Sequence, residues 1–91
     1  MAHSIVLSWT ASIDAVDGYN VYRGNAAGAE TTKVNTALVT ADTFTDSAPL
    51  EGENFYVVRS SLGGVESVNS SEVNAVILPA PPTNLKVASA A

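Results

Sequence analysis

Ninety-one residues, 46% of them hydrophobic, suffice for one domain closing a single core without metal or disulfide staples. A formal net charge of −5 with only four scattered basic residues, Arg23, Lys33, Arg59 and Lys86, leaves no cationic surface to neutralise phosphates, so nucleic acid and anionic membrane are excluded as partners. Cysteine is absent, which rules out thiolate metal sites, and the longest apolar runs, such as Ala75-Val76-Ile77-Leu78, fall far short of the roughly 20 residues of a membrane helix.

In chain order, Met1-Ala2-His3 has none of the character of a signal-peptide n-region, and the expectation is a soluble module from a longer exported protein. Ile5, Leu7 and Trp9 then alternate with small or polar residues, the period-2 signature of a half-buried strand. Turn formers Asp14, Asp17 and Gly18 lead into a second alternating strand, Tyr19 to Arg23, and Gly24 to Glu30 reads as a surface loop. Lys33 to Thr40 offers a weaker strand, Thr43 to Asp46 a short one, and Asn54 to Ser61 a strong one through its aromatic and β-branched residues. Gly63-Gly64 predicts a turn, and Val73, Ala75 and Ile77 alternate once more. Pro79 to Pro82 cannot donate ladder hydrogen bonds and is expected to run as a polyproline II connector, after which Leu85 and Val87 share one face of a final strand. Helical periodicity is nowhere sustained, so the architecture expected is all-β, a two-sheet antiparallel sandwich whose lone tryptophan anchors both sheets.

These segments, in this order, resemble the fibronectin type III domain in its bacterial form, an immunoglobulin-like sandwich. Ile5-Val6-Leu7-Ser8-Trp9 resembles the family's strand B and Val16 to Arg23 its strand C. Lys33-Val34-Asn35 with Leu38 resembles the C′ region, and Thr43 to Asp46 strand E with its inward aromatic. Phe55 to Ser60 takes the place of strand F, and Ser70 to Ala75 that of strand G. Two departures stand out. The family's tyrosine corner falls on Phe55 or Asn54, neither of which carries the hydroxyl, unless Tyr56 has moved into the role. The second concerns strand A: nothing of its kind precedes strand B, yet its usual Pro-Pro-x-x-Leu-x-Val pattern stands at Pro81 to Val87.

The organisation expected is therefore a core of strands B to G over 1–78, a connector over 79–82, and an A-like strand over 83–91. In the resembled sandwich strand G ends at the pole opposite the start of strand A, ~20–30 Å away, whereas four residues in polyproline II form reach only about 12 Å. Folding back onto the same domain is strained. Two readings remain: the segment completes a second copy head-to-tail, or it is the severed start of a following repeat. The first sets Pro82, Leu85 and Val87 of one copy against Ile5, Leu7 and Trp9 of the next, as in donor-strand complementation.

No catalytic constellation competes. His3 is the only histidine, so the many serines lack a base, and no Gly-x-Ser-x-Gly elbow occurs. The acidic pairs Asp14/Asp17, Asp42/Asp46 and Glu51/Glu53 read as turn and solubility residues rather than calcium ligands or an acid and base. Arg23-Gly24-Asn25 is not an adhesive Arg-Gly-Asp motif, and Asn69-Ser70-Ser71 matches a glycosylation sequon without weight in a bacterial source. Tyr22 and Phe55 are expected on outward faces, a small aromatic patch for sugar or protein at most. The expectation is a non-catalytic structural or spacer module of an extracellular bacterial protein, with no cofactor and no metal. Its expected partners are itself, adjacent domains and, through a carbohydrate-associated parent, polysaccharide. The alternative is a carbohydrate- or protein-binding module that reads its ligand through loops.

Overall fold

The computed structural model describes residues 3–90. Seven strands form: β1 Ile5–Ser8, β2 Gly18–Gly24, β3 Thr32–Lys33, β4 Thr43–Asp46, β5 Gly52–Leu62, β6 Val65–Glu66 and β7 Val73–Ile77. They make two antiparallel sheets, β1-β4 and β3-β2-β5, the last flanked by both β6 and β7. Met1 and Ala2, read above for signal-peptide character, and Ala91, the last residue of the A-like segment, lie outside the described residues.

Alternation decides what faces inward. Ile5, Val21 and Tyr56 are buried between the sheets, and Leu7, Trp9, Val34, Phe44, Val58, Ala75 and Ile77 pack half-buried around them. Trp9 meets Tyr19 of the facing sheet edge-on, ring centroids 5.4 Å apart, which joins the two layers as the pattern predicted. Leu62 and Val65 pair directly across Gly63 and Gly64, whose φ of 58° and 83° are what a two-residue hairpin turn of this hand demands.

Serine side chains extend the sheet where backbone pairing lapses. Between β6 and β7, Ser67 Oγ accepts from the Ser60 N–H and Ser70 Oγ from the Val58 N–H, while the Ser67 and Ser70 N–H groups donate to the same two residues. β6 and β7 thus act as one interrupted edge of β5.

The expected strand over Lys33 to Thr40 shrinks to the Thr32–Lys33 pairing and a single bridge of Val39 to Tyr19. Asn35 takes over the rest: buried, its Oδ1 accepts from the Val21 N–H at 2.8 Å and its Nδ2 donates to Asn20 Oδ1 and the Ala37 carbonyl. A side chain that satisfies the backbone in this way removes the need for a longer ladder. The final strand expected at Leu85 and Val87 also does not form within one chain. Residues 78–90 carry no strand and are exposed throughout, Leu85 at 95%. The molecule measures 71 × 23 × 20 Å, about twice the ~36 Å that the eleven residues of β5 span, so the tail runs outward along the long axis.

Candidate functional site

The feature of this sandwich that asks for a partner is the free edge of β1. Its register with β4 runs from Ile5↔Asp46 to Ser8↔Thr43, and β4 is its one strand neighbour among the described residues. β4 lies over β2 and β3, since Thr45 and Asp46 share a cavity with Arg23, Lys33 and Val34. The unpaired side of β1 therefore faces the β7 side of the larger sheet, where Ala75 and Ile77 pack half-buried against the core. Ile5 and Leu7 point into the core from this edge while Val6 is 68% exposed on the other face.

At the Trp9 end the edge opens into a cavity of about 160 Å³ lined by Trp9, Thr10, Tyr19, Val58 and Val68, with Ser67 and Ser70 at its rim. Its floor is apolar and its walls carry hydroxyls. The Trp9 indole N–H is buried with no acceptor, an orphaned donor that costs roughly 1–3 kcal/mol. The Tyr19 hydroxyl accepts from the Ser12 N–H at 2.8 Å and fixes the loop above.

Of the strand-exchange residues expected from sequence, Ile5, Leu7 and Trp9 lie along one edge, and Pro82, Leu85 and Val87 lie on the outward tail at the other pole. β7 ends opposite Gly52, whereas Trp9 is level with Tyr19, which pairs with Ser60 near the far end of β5. The tail thus leaves the body at the pole away from Trp9, and does not meet its own β1 edge.

The other candidates resolve into structure. His3 stands just ahead of β1, at the opposite end of the strand from the serine-lined cavity, so it is not brought to those hydroxyls. Asp17 accepts from the Gly63 N–H and secures the hairpin tip. Asp46 parts from Asp42 altogether: it is buried and takes the Tyr56 hydroxyl at 2.6 Å and Arg23 Nη1 at 2.9 Å on one oxygen, and the Ala48 N–H on the other. Burial is the largest influence on its carboxyl and raises it, but those three donors together hold it below its ordinary range. Among the described residues no three His, Asp or Glu side chains gather as a metal would need. On the outward face, the Tyr22 ring is covered by the Arg59 guanidinium 4.3 Å from its centroid, and its hydroxyl donates to Glu66 at 2.6 Å. That ring is already occupied.

Two arrangements escape sequence reasoning. Asn54, fully buried, holds the turn before β5: its Oδ1 accepts from the Leu50 N–H, and its Nδ2 donates to the Leu50 and Gly52 carbonyls. It does the work of the tyrosine corner, while Tyr56 bonds to a carboxylate rather than to the backbone. The second is a carboxyl pair, Glu30 and Glu72. Glu72 accepts from the Gly28 N–H at 2.8 Å, and the hydrogen bond with Glu72, together with burial, pushes the Glu30 carboxyl up. The meeting of this pair required the chain to fold, since 42 positions separate Glu30 from Glu72.

The two-layer antiparallel architecture, with no helix among the described residues, is that of an immunoglobulin-like structural or interaction module. Among solved structures the chain is similar to a Fn3-like protein from Clostridium thermocellum, with a TM-score of 0.71 and 30% identity over 87% of this chain and 80% of that one. No family model and no curated protein matches. The chain belongs to the fibronectin type III-like family.

Proposed function

We propose that this chain is a non-catalytic connecting module of an extracellular bacterial protein and that it links to a second copy of itself by adding its C-terminal segment to the β1 edge. The observation that carries the reading is the pairing of two incomplete parts. One is an edge strand over a half-covered core; the other is an unpaired segment with Leu85 95% and Val87 80% exposed. Every strand pair in the molecule is antiparallel, and an antiparallel addition puts Leu85 opposite Leu7, Val87 opposite Ile5 and Pro82 opposite Thr10. Pro81 and Pro82 then reach the cavity beside Trp9.

The same segment would serve equally as the first strand of a following repeat in a longer chain, a contact of the same chemistry. A glycan-reading role finds less support, because Arg59 covers the aromatic ring on which a sugar would stack. The deciding measurement is solution mass across a concentration series for the full chain and for Leu85→Asp. Concentration-dependent oligomers that Leu85→Asp abolishes are expected, since the variant would bury an unpaired charge. A chain that remains a well-folded monomer at millimolar concentration overturns the reading.

A further inference from the structure

Strand addition by the tail is a small contact. The segment from Pro81 to Ala88 offers eight residues, against the roughly 20–30 residues a side of an ordinary stable interface. The geometry of the addition brings a second surface to bear.

The tail leaves its own body at the pole where β7 ends opposite Gly52 and points away along the long axis. Lying antiparallel to β1 of the recipient, its first residues come beside Trp9 and its last beside Ile5. The recipient must then turn its Trp9 pole toward the donor. That pole does not stop at Trp9. The hairpin of β5 and β6 runs on past the Tyr19↔Ser60 pair to Gly63, three residues further and so ~10 Å higher. The connector Pro79 to Pro82 spans only about 12 Å in polyproline II form. The projecting hairpin fills that gap, so the two bodies touch.

The surfaces that meet are apolar on both sides. On the recipient, Leu62 and Val65 of the hairpin, the latter 73% exposed, line a hollow together with Ala15 and Val16 of the loop after β1, and Ile13 of that loop stands at 101% exposure. On the donor, the pole beside the tail presents Leu50 and Leu78, the latter 71% exposed. Leu62 and Val65 are cross-strand partners, so with the loop of Ile13 beside them three large apolar side chains, each more than half exposed in the single chain, gather at this pole.

We propose that the pole formed by Ile13, Leu62 and Val65 is a docking surface for the Leu50 and Leu78 pole of a second copy, a body-to-body contact that accompanies strand addition. This inference rests on the strand-addition reading above. The contact is heterologous, and successive copies stack end to end into a filament unless the rotation closes. Acidic groups stand on both poles, Asp14 and Asp17 facing Glu51 and Glu53, so association strengthens as salt screens them.

The test is sedimentation velocity on the full chain and on the double variant Ile13→Ser with Val65→Thr. Neither substitution touches the β1 edge, the Trp9 cavity or the tail. A synthetic peptide of residues 79–91 is titrated in parallel against each protein, with the emission of the lone Trp9 as readout. The double variant is expected to associate at least tenfold more weakly, since each buried methylene lost is worth about fourfold. It is expected to bind the peptide as the parent does, because the peptide carries no body. Equal association of variant and parent overturns the docking surface and leaves strand addition standing. Failure of the parent to associate or to bind the peptide overturns both. Peptide binding weakened in the variant as much as association shows damage to the edge itself, and also overturns the assignment.

Discussion

The Tyr56 hydroxyl donates to Asp46 Oδ2 at 2.6 Å, from the middle of β5 in one sheet to the end of β4 in the other. With Arg23 on the same oxygen, it closes the interior at the pole where the tail leaves. Tyr56→Phe keeps the ring and removes one bond to a charged acceptor, so urea unfolding should show a loss of about 1.5–3 kcal/mol. A loss below the error of the measurement would mean that Arg23 alone suffices for Asp46.

The same carboxylate gives the fold an acid limit. Its folded-state value is depressed below the ordinary 3.8, so its contribution is complete above that value and is lost as pH falls through the folded one. Stability measured between pH 5 and pH 2 should decline below about pH 4. Asp46→Asn should be less stable than the parent at pH 7 and flatter over this acid range. An equally steep acid decline in Asp46→Asn would assign the titration to other groups.

Asn54→Ala should be among the most damaging substitutions available in the body. It leaves the part-buried Leu50 N–H without its acceptor and frees two carbonyls in the turn that starts β5, a cost of about 1–3 kcal/mol for the donor where water does not replace the side chain. Thermal unfolding is the check, and Asn54→Asp distinguishes the roles: it keeps the acceptor for Leu50 but turns a donor into a charge against two carbonyls, and should be at least as harmful. A mild Asn54→Ala would show that water replaces the side chain.

Glu30→Gln is expected to stabilise. The hydrogen bond with Glu72, then burial, raises the Glu30 carboxyl, so its protonated form is the one the fold favours. That favour is complete below the ordinary value of 4.5 and fades as pH rises through the folded one. A neutral amide keeps it at pH 7. Urea midpoints should therefore rise in the variant at pH 7 and converge with the parent near pH 4; a lower midpoint at pH 7 would show that the carboxylate form is needed by the Gly28 loop.

Much of the fold was legible because strand faces write themselves in period two. Ile5-Leu7-Trp9, Tyr19-Val21 and Tyr56-Val58 each specify an inward row, and the Gly63-Gly64 turn announces its hairpin. The outward placement of Tyr22 was equally readable, but not the Arg59 that covers it, because the pair meets across two strands and the guanidinium is brought by register alone. Arg23 shows the opposite error in reach: alternation puts it on the inward side after Tyr19 and Val21, where a charge is tolerable only because Asp46 waits in the facing sheet.

The sequence by itself determined the class of fold and the inward rows, since both depend on local alternation and on order along the chain. Only the tertiary structure decided that Asn54 and not a tyrosine holds the corner, that Asn35 replaces most of a strand, and that a cavity opens beside Trp9 at the end of the β1 edge. Those are matters of which polar groups meet, and a hydrogen bond is set by separations of about 3 Å that no periodicity along the chain encodes.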